Sequence, residues 1–153
     1  MKDETTLFSL WKGPIPLKDV WNEINDENYC LYQLYGRHVV YGPDALLYIG
    51  RCGCAETRIG QHMSWLEWEQ DRITVYLATL GVFQGWTDSS DELIGAKPRE
   101  PEIAAAEALL IHTHCPSYNS QHLSQPKDEP KVRIFNVGQY GSLAAETSTL
   151  RWS

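Results

Sequence analysis

Several features that mark specialised proteins are missing from this sequence, and each absence narrows the possibilities. No apolar run approaches the length that spans a bilayer, and the first residues lack the apolar segment of a signal peptide. Internal repeats and low-complexity tracts are also missing. We therefore expect a cytoplasmic protein without a membrane partner, and a length of 153 residues suits a single domain.

The four cysteines do not form a common metal-binding pattern. Cys52 and Cys54 form a C-x-C pair, which departs from the usual zinc spacing. Thiols in a cytoplasmic chain are normally reduced. We expect simple buried or partly exposed thiols. The less favoured alternative is a metal site in which His112, His114 and Cys115 join this pair.

The chain also lacks the basic excess that attracts nucleic acid over a broad surface, since its net charge is −7. The acidic residues are concentrated: residues 64–107 carry nine acidic and three basic side chains. Residues 29–63 carry two acidic and three basic ones, so they are free of this excess. An acidic surface is most often simply solvated, and the alternative is a surface that binds a protein partner.

Hydrophobic periodicity and turn residues predict the order of the elements. Residues 1–16 are expected to form an irregular arm that docks on the core. The predicted helices cover about residues 17–27, 55–68 and 101–114. The predicted strands cover residues 29–35, 45–52, 72–80 and 132–137. Residues 81–100 are expected to form a long connection.

This order predicts an α+β fold: a small three-stranded antiparallel sheet flanked by helices, with an N-terminal helix and an extra C-terminal strand. In this interpretation residues 1–153 form one domain whose core covers residues 29–120. Residues 1–28 supply the N-terminal arm and helix, and residues 121–153 form a C-terminal extension.

Three charged side chains on predicted helices are candidates for chemistry. Glu107 falls within the apolar stripe of its helix, where a carboxylate is costly unless it is paired or binds a metal. An edge position on that stripe explains it equally well. Arg58 and His62 are four residues apart on one helix face, where arginine suits phosphate and histidine suits proton transfer. Taken alone, this pair is better explained as a solvated face.

Together with two strand tyrosines, these residues resemble the signature of the GIY-YIG nuclease family. Tyr48-Ile49-Gly50 is the second half of that signature, and Cys30-Leu31-Tyr32 occupies the first half with Cys for Gly and Leu for Ile. Three further pieces follow in the family's order. They are an R-x-x-x-H helix at Arg58 and His62, a glutamate-bearing helix at Glu107 and a closing P-x-x-N at Pro116 to Asn119.

The resemblance covers about residues 29–120 and includes three departures from the family pattern. Cys30 stands where the family has its first glycine, so backbone packing near Tyr32 is expected to differ. The two signature tyrosines are sixteen residues apart, which implies an enlarged hairpin loop at 36–44. The connection 81–100 is long for so small a domain.

The resemblance implies a metal-dependent endonuclease that hydrolyses the phosphodiester bonds of nucleic acid, with DNA as the expected substrate. The catalytic residues would be Tyr32, Tyr48, Arg58, His62 and Glu107. Glu107 would bind Mg²⁺ or Mn²⁺, and Arg58 would bind the phosphate. Tyr32 would contact or deprotonate the attacking water, with His62 relaying the proton and Tyr48 completing the pocket.

Three more residues are expected to help bind the substrate. Arg51 and Arg37 would contact flanking phosphates, although plain surface exposure explains both equally well. Asn119 would orient the glutamate helix. The alternative function is a catalytically inactive nucleic-acid-binding or protein-interaction module of the same fold.

Overall fold

The computed structural model describes residues 4–24, 29–51, 73–83, 97–119 and 130–152, and the structural statements below concern these residues. The strands are β1 (Thr5–Pro16), β2 (Leu31–His38), β3 (Gly42–Arg51), β4 (Thr74–Val82), β5 (Val132–Gly138) and β6 (Glu146–Ser148). The helices are α1 (Val20–Ile24) and α2 (Glu100–His114), with 3-10 turns at Leu17–Asp19 and Thr149–Trp152.

The described strands form one six-stranded sheet in the order β3-β2-β4-β1-β5-β6. Neighbouring strands are antiparallel except β1 and β5, which are parallel. The sheet is curled into a half-barrel. Helix α2 contacts β3 near one edge of the sheet and β5 and β6 near the other, so the curled sheet wraps around this helix.

The prediction of a three-stranded sheet flanked by helices is therefore wrong, because the chain is mostly β-structure with one long helix among the described residues. The three central predicted strands exist as β2, β3 and β4, but β1, β5 and β6 extend them. The largest error concerns the expected irregular arm, which is instead β1, a strand between β4 and β5.

The two prolines of β1, Pro14 and Pro16, lie beyond the part of the strand that pairs with β5. Pairing with β5 ends where Trp11 meets Gly138. Pairing with β4 is itself irregular between Lys12 and Ile15. A proline that has no ladder partner for its missing N–H costs little in a strand.

Helix α2 agrees with its prediction to within one residue. The backbone N–H of Arg99 donates to the Glu102 carboxylate at 3.0 Å, which caps the start of the helix, and Pro101 occupies the first turn. Cys115 ends the helix in the left-handed conformation, with φ 44°. Neither described helix has the length and apolar character needed to cross a bilayer.

Two apolar clusters lie on the two faces of the sheet. One contains the buried side of α2 together with Leu31, Ile49 and Trp11. The other contains Tyr32 and Leu34 with Leu17 and Val20 from the segment after β1. Of the remaining predictions, the helix at 55–68 and most of the connection 81–100 lie outside the described residues.

Candidate functional site

The candidate residues that the structure describes meet at the end of β3, between Tyr48 and Arg51. Strand β2 lies antiparallel beside this segment, with Tyr32 opposite Gly50. Because side chains alternate along a strand, Tyr48 and Gly50 share one face while Ile49 and Arg51 share the other. The cluster assignments agree, since Tyr48 packs with the Tyr32 cluster and Ile49 with the α2 cluster. The candidate site therefore straddles an edge strand.

On the first face the two signature tyrosines stack. The ring centroids of Tyr32 and Tyr48 are 5.9 Å apart, with an angle of 24° between the ring planes. Tyr32 is completely buried, whereas Tyr48 is only partly buried. Solvent in this structure therefore reaches Tyr48 and does not reach Tyr32.

Gly50 is required at its position by the Tyr32 phenol. A Cβ atom at Gly50 would lie 2.6 Å from both Cζ and Oη of Tyr32, which is shorter than any ordinary contact. The absence of a side chain thus lets the phenol lie against the backbone of β3. This contact gives a structural reason for the glycine that follows Tyr48-Ile49 in the signature.

On the second face Arg51 binds two carboxylates of α2. Its Nε atom lies 3.1 Å from Glu107 Oε2, and its Nη1 atom lies 3.0 Å from Glu100 Oε1. The Glu107 side chain is 11% exposed and that of Arg51 is 32% exposed, so this pair is only partly screened by water. Arg51 therefore compensates the charge that Glu107 places near the apolar face of the helix.

Asn119 connects the turn after α2 to the same strand. Its Oδ1 atom accepts from the Ile49 N–H at 3.0 Å, and its Nδ2 group donates to the Ile49 carbonyl at 3.0 Å. The Tyr118 N–H donates to the Leu47 carbonyl at 2.8 Å beside it. One side-chain amide thus pairs with the edge of β3 as another strand would. This is the geometry that a positioning role for Asn119 requires.

Among the remaining predicted site residues, the structure describes Arg37 and places it away from this cluster. Arg37 is exposed near the tip of the β2–β3 hairpin, at the opposite end of β3. Arg58 and His62 lie outside the described residues. Sequence analysis missed Glu100, although it precedes Glu107 by seven residues, which is about two helical turns and places both on one face.

The donors at this site suit a hard divalent cation. Mg²⁺ typically binds one or two carboxylates and keeps several waters. Glu100 and Glu107 already converge on one positively charged group, the Arg51 guanidinium. Within the described ranges no three His, Cys, Asp or Glu side chains cluster closely enough to form a metal site by themselves. A cation that uses Glu107, with Glu100 as second carboxylate, is compatible with this arrangement.

Comparisons with protein-family models, with curated proteins and with solved structures found no match. The signature residues and the geometry at the end of β3 are therefore the features of this protein that point to a function.

Proposed function

We propose that this protein is a metal-dependent endonuclease of the GIY-YIG type, which hydrolyses phosphodiester bonds of nucleic acid, with DNA as the first substrate to test. The observation that carries the proposal is the convergence at the end of β3. Tyr48, Gly50 and Arg51 lie there within four consecutive residues. Tyr32, Glu107 and Asn119 each contact this segment or pair with it. Apart from Arg51, which sequence analysis gives only as a candidate contact to flanking phosphates, these residues belong to the signature.

Within this proposal the two tyrosines have different roles. Because solvent reaches Tyr48 but not Tyr32, we assign contact with the attacking water to Tyr48. Tyr32 is then a positioning residue that fixes the Tyr48 ring by stacking on it. This division reverses the sequence-based expectation for the two phenols. A free phenol has a pKa of about 10, so Tyr48 would need a proton acceptor to activate water.

The groups that would neutralise the phosphate charge lie on the other face of β3. Arg51 has exposed surface and donors left for a phosphate oxygen, so it would bind the substrate beside Glu107. A divalent cation held by Glu107 would supply charge neutralisation at the phosphate and at the departing oxygen. Arg58 and His62 keep their proposed roles in phosphate binding and proton transfer from the signature alone.

Cleavage assays test this proposal. Purified protein is incubated with supercoiled plasmid, single-stranded DNA and RNA, in Mg²⁺, Mn²⁺ or EDTA. We expect metal-dependent cleavage that falls on the order of 100-fold or more in Glu107→Gln. Glu102→Gln is the matched control, because Glu102 is a buried carboxylate of the same helix with a capping role. The proposal fails if no substrate is cut, or if EDTA or Glu107→Gln leaves cleavage unchanged.

A second candidate is a catalytically inactive nucleic-acid-binding or protein-interaction module. The specific observation in its favour is the Arg51–Glu107 ion pair, because a carboxylate with a purely structural role would also be paired. This alternative predicts that Glu107→Gln lowers stability while nucleic-acid or protein binding survives. Loss of stability is expected in either case, so cleavage by the wild type, measured beside binding and thermal unfolding, separates the two candidates.

A further inference from the structure

A cluster of aromatic side chains lies at the far end of β3, away from the candidate active site. We call it the tip cluster; its members are His38, Tyr41 and Tyr118. The His38 and Tyr41 rings are stacked, with centroids 4.8 Å apart and an angle of 27°. The ring centroid of Tyr118 lies 5.9 Å from that of His38. Tyr41 is nevertheless 72% exposed, so most of its ring surface is open to solvent.

Backbone contacts hold these rings in place. His38 Nδ1 accepts from the backbone N–H of Val40 at 3.1 Å and of Tyr41 at 3.3 Å, which orients the imidazole across the turn. Gly42 follows with φ +97°, a conformation that side chains rarely allow. The Tyr118 N–H is bonded to β3, as described above. The rings are therefore presented at the surface without being buried in a core.

The charge around the tip cluster suits an anionic partner. The two described segments that supply the cluster, residues 29–43 and 108–119, contain no acidic residue, and the acidic residue that follows the turn is the exposed Asp44. Arg37 directly precedes His38 in β2, and its side chain is exposed. A polyanion thus meets one fixed positive charge and no carboxylate in either of these segments.

The shape of the surface favours nucleobases over a protein. A hairpin tip is convex and offers a protein partner little area, whereas a stable protein interface needs on the order of 800 Å² from each partner. One open ring face is sufficient to stack one base. Bases are accessible for such stacking when they are unpaired, as in single strands, loops and ends.

We propose that the tip cluster is a stacking site for unpaired bases, in which the Tyr41 ring takes the base and Arg37 contacts a neighbouring phosphate. The inference rests on the proposed function for its ligand class and narrows the substrate to nucleic acid with an unpaired strand. Tyr41 and Tyr48 are seven residues apart in sequence, which corresponds to roughly 23 Å along an extended strand. A single strand that follows β3 would be held at the tip and cut at the other end.

Binding of fluorescein-labelled oligonucleotides in EDTA tests this inference without cleavage. The ligands are oligothymidylate, an abasic oligomer of equal length that keeps only sugar and phosphate, and a duplex. We expect the wild type to bind oligothymidylate more tightly than either control. Tyr41→Ala should weaken oligothymidylate binding about 5-fold to 100-fold and leave abasic binding unchanged. Tyr41→Phe, which keeps the ring, should retain wild-type binding to within about twofold.

Val39→Ala is the matched control, since Val39 is 97% exposed on the same turn but has no ring. Equal binding of oligothymidylate and the abasic oligomer, or an unchanged Tyr41→Ala, would overturn the inference. An equal loss in Val39→Ala would also overturn it, because it would indicate a general apolar patch suited to a protein. Base-dependent binding without any cleavage would contradict the nuclease proposal but leave the stacking site supported. Cleavage by the wild type, together with oligothymidylate binding that Tyr41→Ala does not weaken, would contradict only the stacking site.

Discussion

Arg51 Nε lies 3.1 Å from Glu107 Oε2, which joins the last residue of β3 to the middle of α2. The two residues come from elements separated by a long stretch of sequence, and both are at least partly withdrawn from solvent. Any cation that binds Glu107, and any phosphate that binds Arg51, must therefore compete with or share this ion pair. The strength of the pair should be measurable in stability as well as in activity.

Arg51→Ala should lower the free energy of unfolding by about 1–3 kcal/mol, because it leaves the Glu107 carboxylate without this cation. Urea unfolding measures the change. Millimolar Mg²⁺ should restore part of the loss in Arg51→Ala but none of it in the double variant with Glu107→Gln. Glu100→Gln is the control: Glu100 is mostly exposed, so its loss should cost at most about 0.5 kcal/mol. Equal effects of Mg²⁺ on both Arg51 variants would contradict a cation site at Glu107.

Gly50→Ala should destabilise the protein by about 1–3 kcal/mol, since the new Cβ meets the buried Tyr32 phenol and the core must shift. A double-mutant cycle with Tyr32→Ala isolates the cause. In the Tyr32→Ala background the Gly50→Ala substitution should cost close to nothing, because the clashing ring is gone. Additive costs in chemical denaturation would show that the glycine is needed for another reason.

Asn119→Ala should destabilise the protein by about 2 kcal/mol or more, because it leaves both the N–H and the carbonyl of Ile49 without their buried partner. Local opening should also follow, so hydrogen exchange at the Ile49 amide should accelerate while amides of β4 remain protected. Asn22→Ala, at an exposed position of α1, is the control and should be close to neutral. Protection of the Ile49 amide that is unchanged would argue against the positioning role.

Stability should depend on pH through His114, which joins the end of α2 to the segment before β6. Its Nδ1 group bonds the Leu110 carbonyl at 2.9 Å, and its Nε2 atom accepts the Ala144 N–H at 2.9 Å, so the ring is held neutral. Burial lowers the pKa of His114 below its ordinary value of 6.5. The unfolded chain therefore binds this proton more readily than the folded one.

The resulting stabilisation is complete above pH 6.5 and is lost as the pH falls from there through the lowered pKa of folded His114. Unfolding free energies of wild type and His114→Gln, measured across this range, should converge as the pH falls. A constant difference between wild type and His114→Gln would contradict the buried neutral ring.

Local sequence patterns predict most of the individual elements. Alternating apolar and aromatic residues indicate β2, β3, β4 and β5, and Pro101 and Cys115-Pro116 indicate the ends of α2. The same patterns misassign β1, since Gly13, Pro14 and Pro16 are typical of irregular chain. Its strand character depends on β4 and β5, which are distant in sequence and which no local pattern relates to it. The number of strands in the sheet and its curvature also depend on contacts between segments distant in sequence, so local patterns do not predict them.

The candidate site divides in a similar way. The signature selects Tyr48, Gly50, Glu107 and Asn119 from sequence, and the structure brings their elements together. The partner of Glu107 is not predictable from spacing, because Arg51 reaches it across the boundary between sheet and helix. The different burial of Tyr32 and Tyr48 is also hidden in the sequence, since both occupy strands and differ only in what the fold places over them.

The position of β1 has a consequence for how the chain is made. Leu7 pairs with Val82 on one side and with Ile134 on the other, so β1 completes its pairing only after both later strands have been made. During synthesis its second side stays unpaired until β5 has left the ribosome, and pairings so distant in sequence form slowly. A nascent chain that stalls before residue 132 would expose an open strand edge, the feature on which aggregation most readily begins.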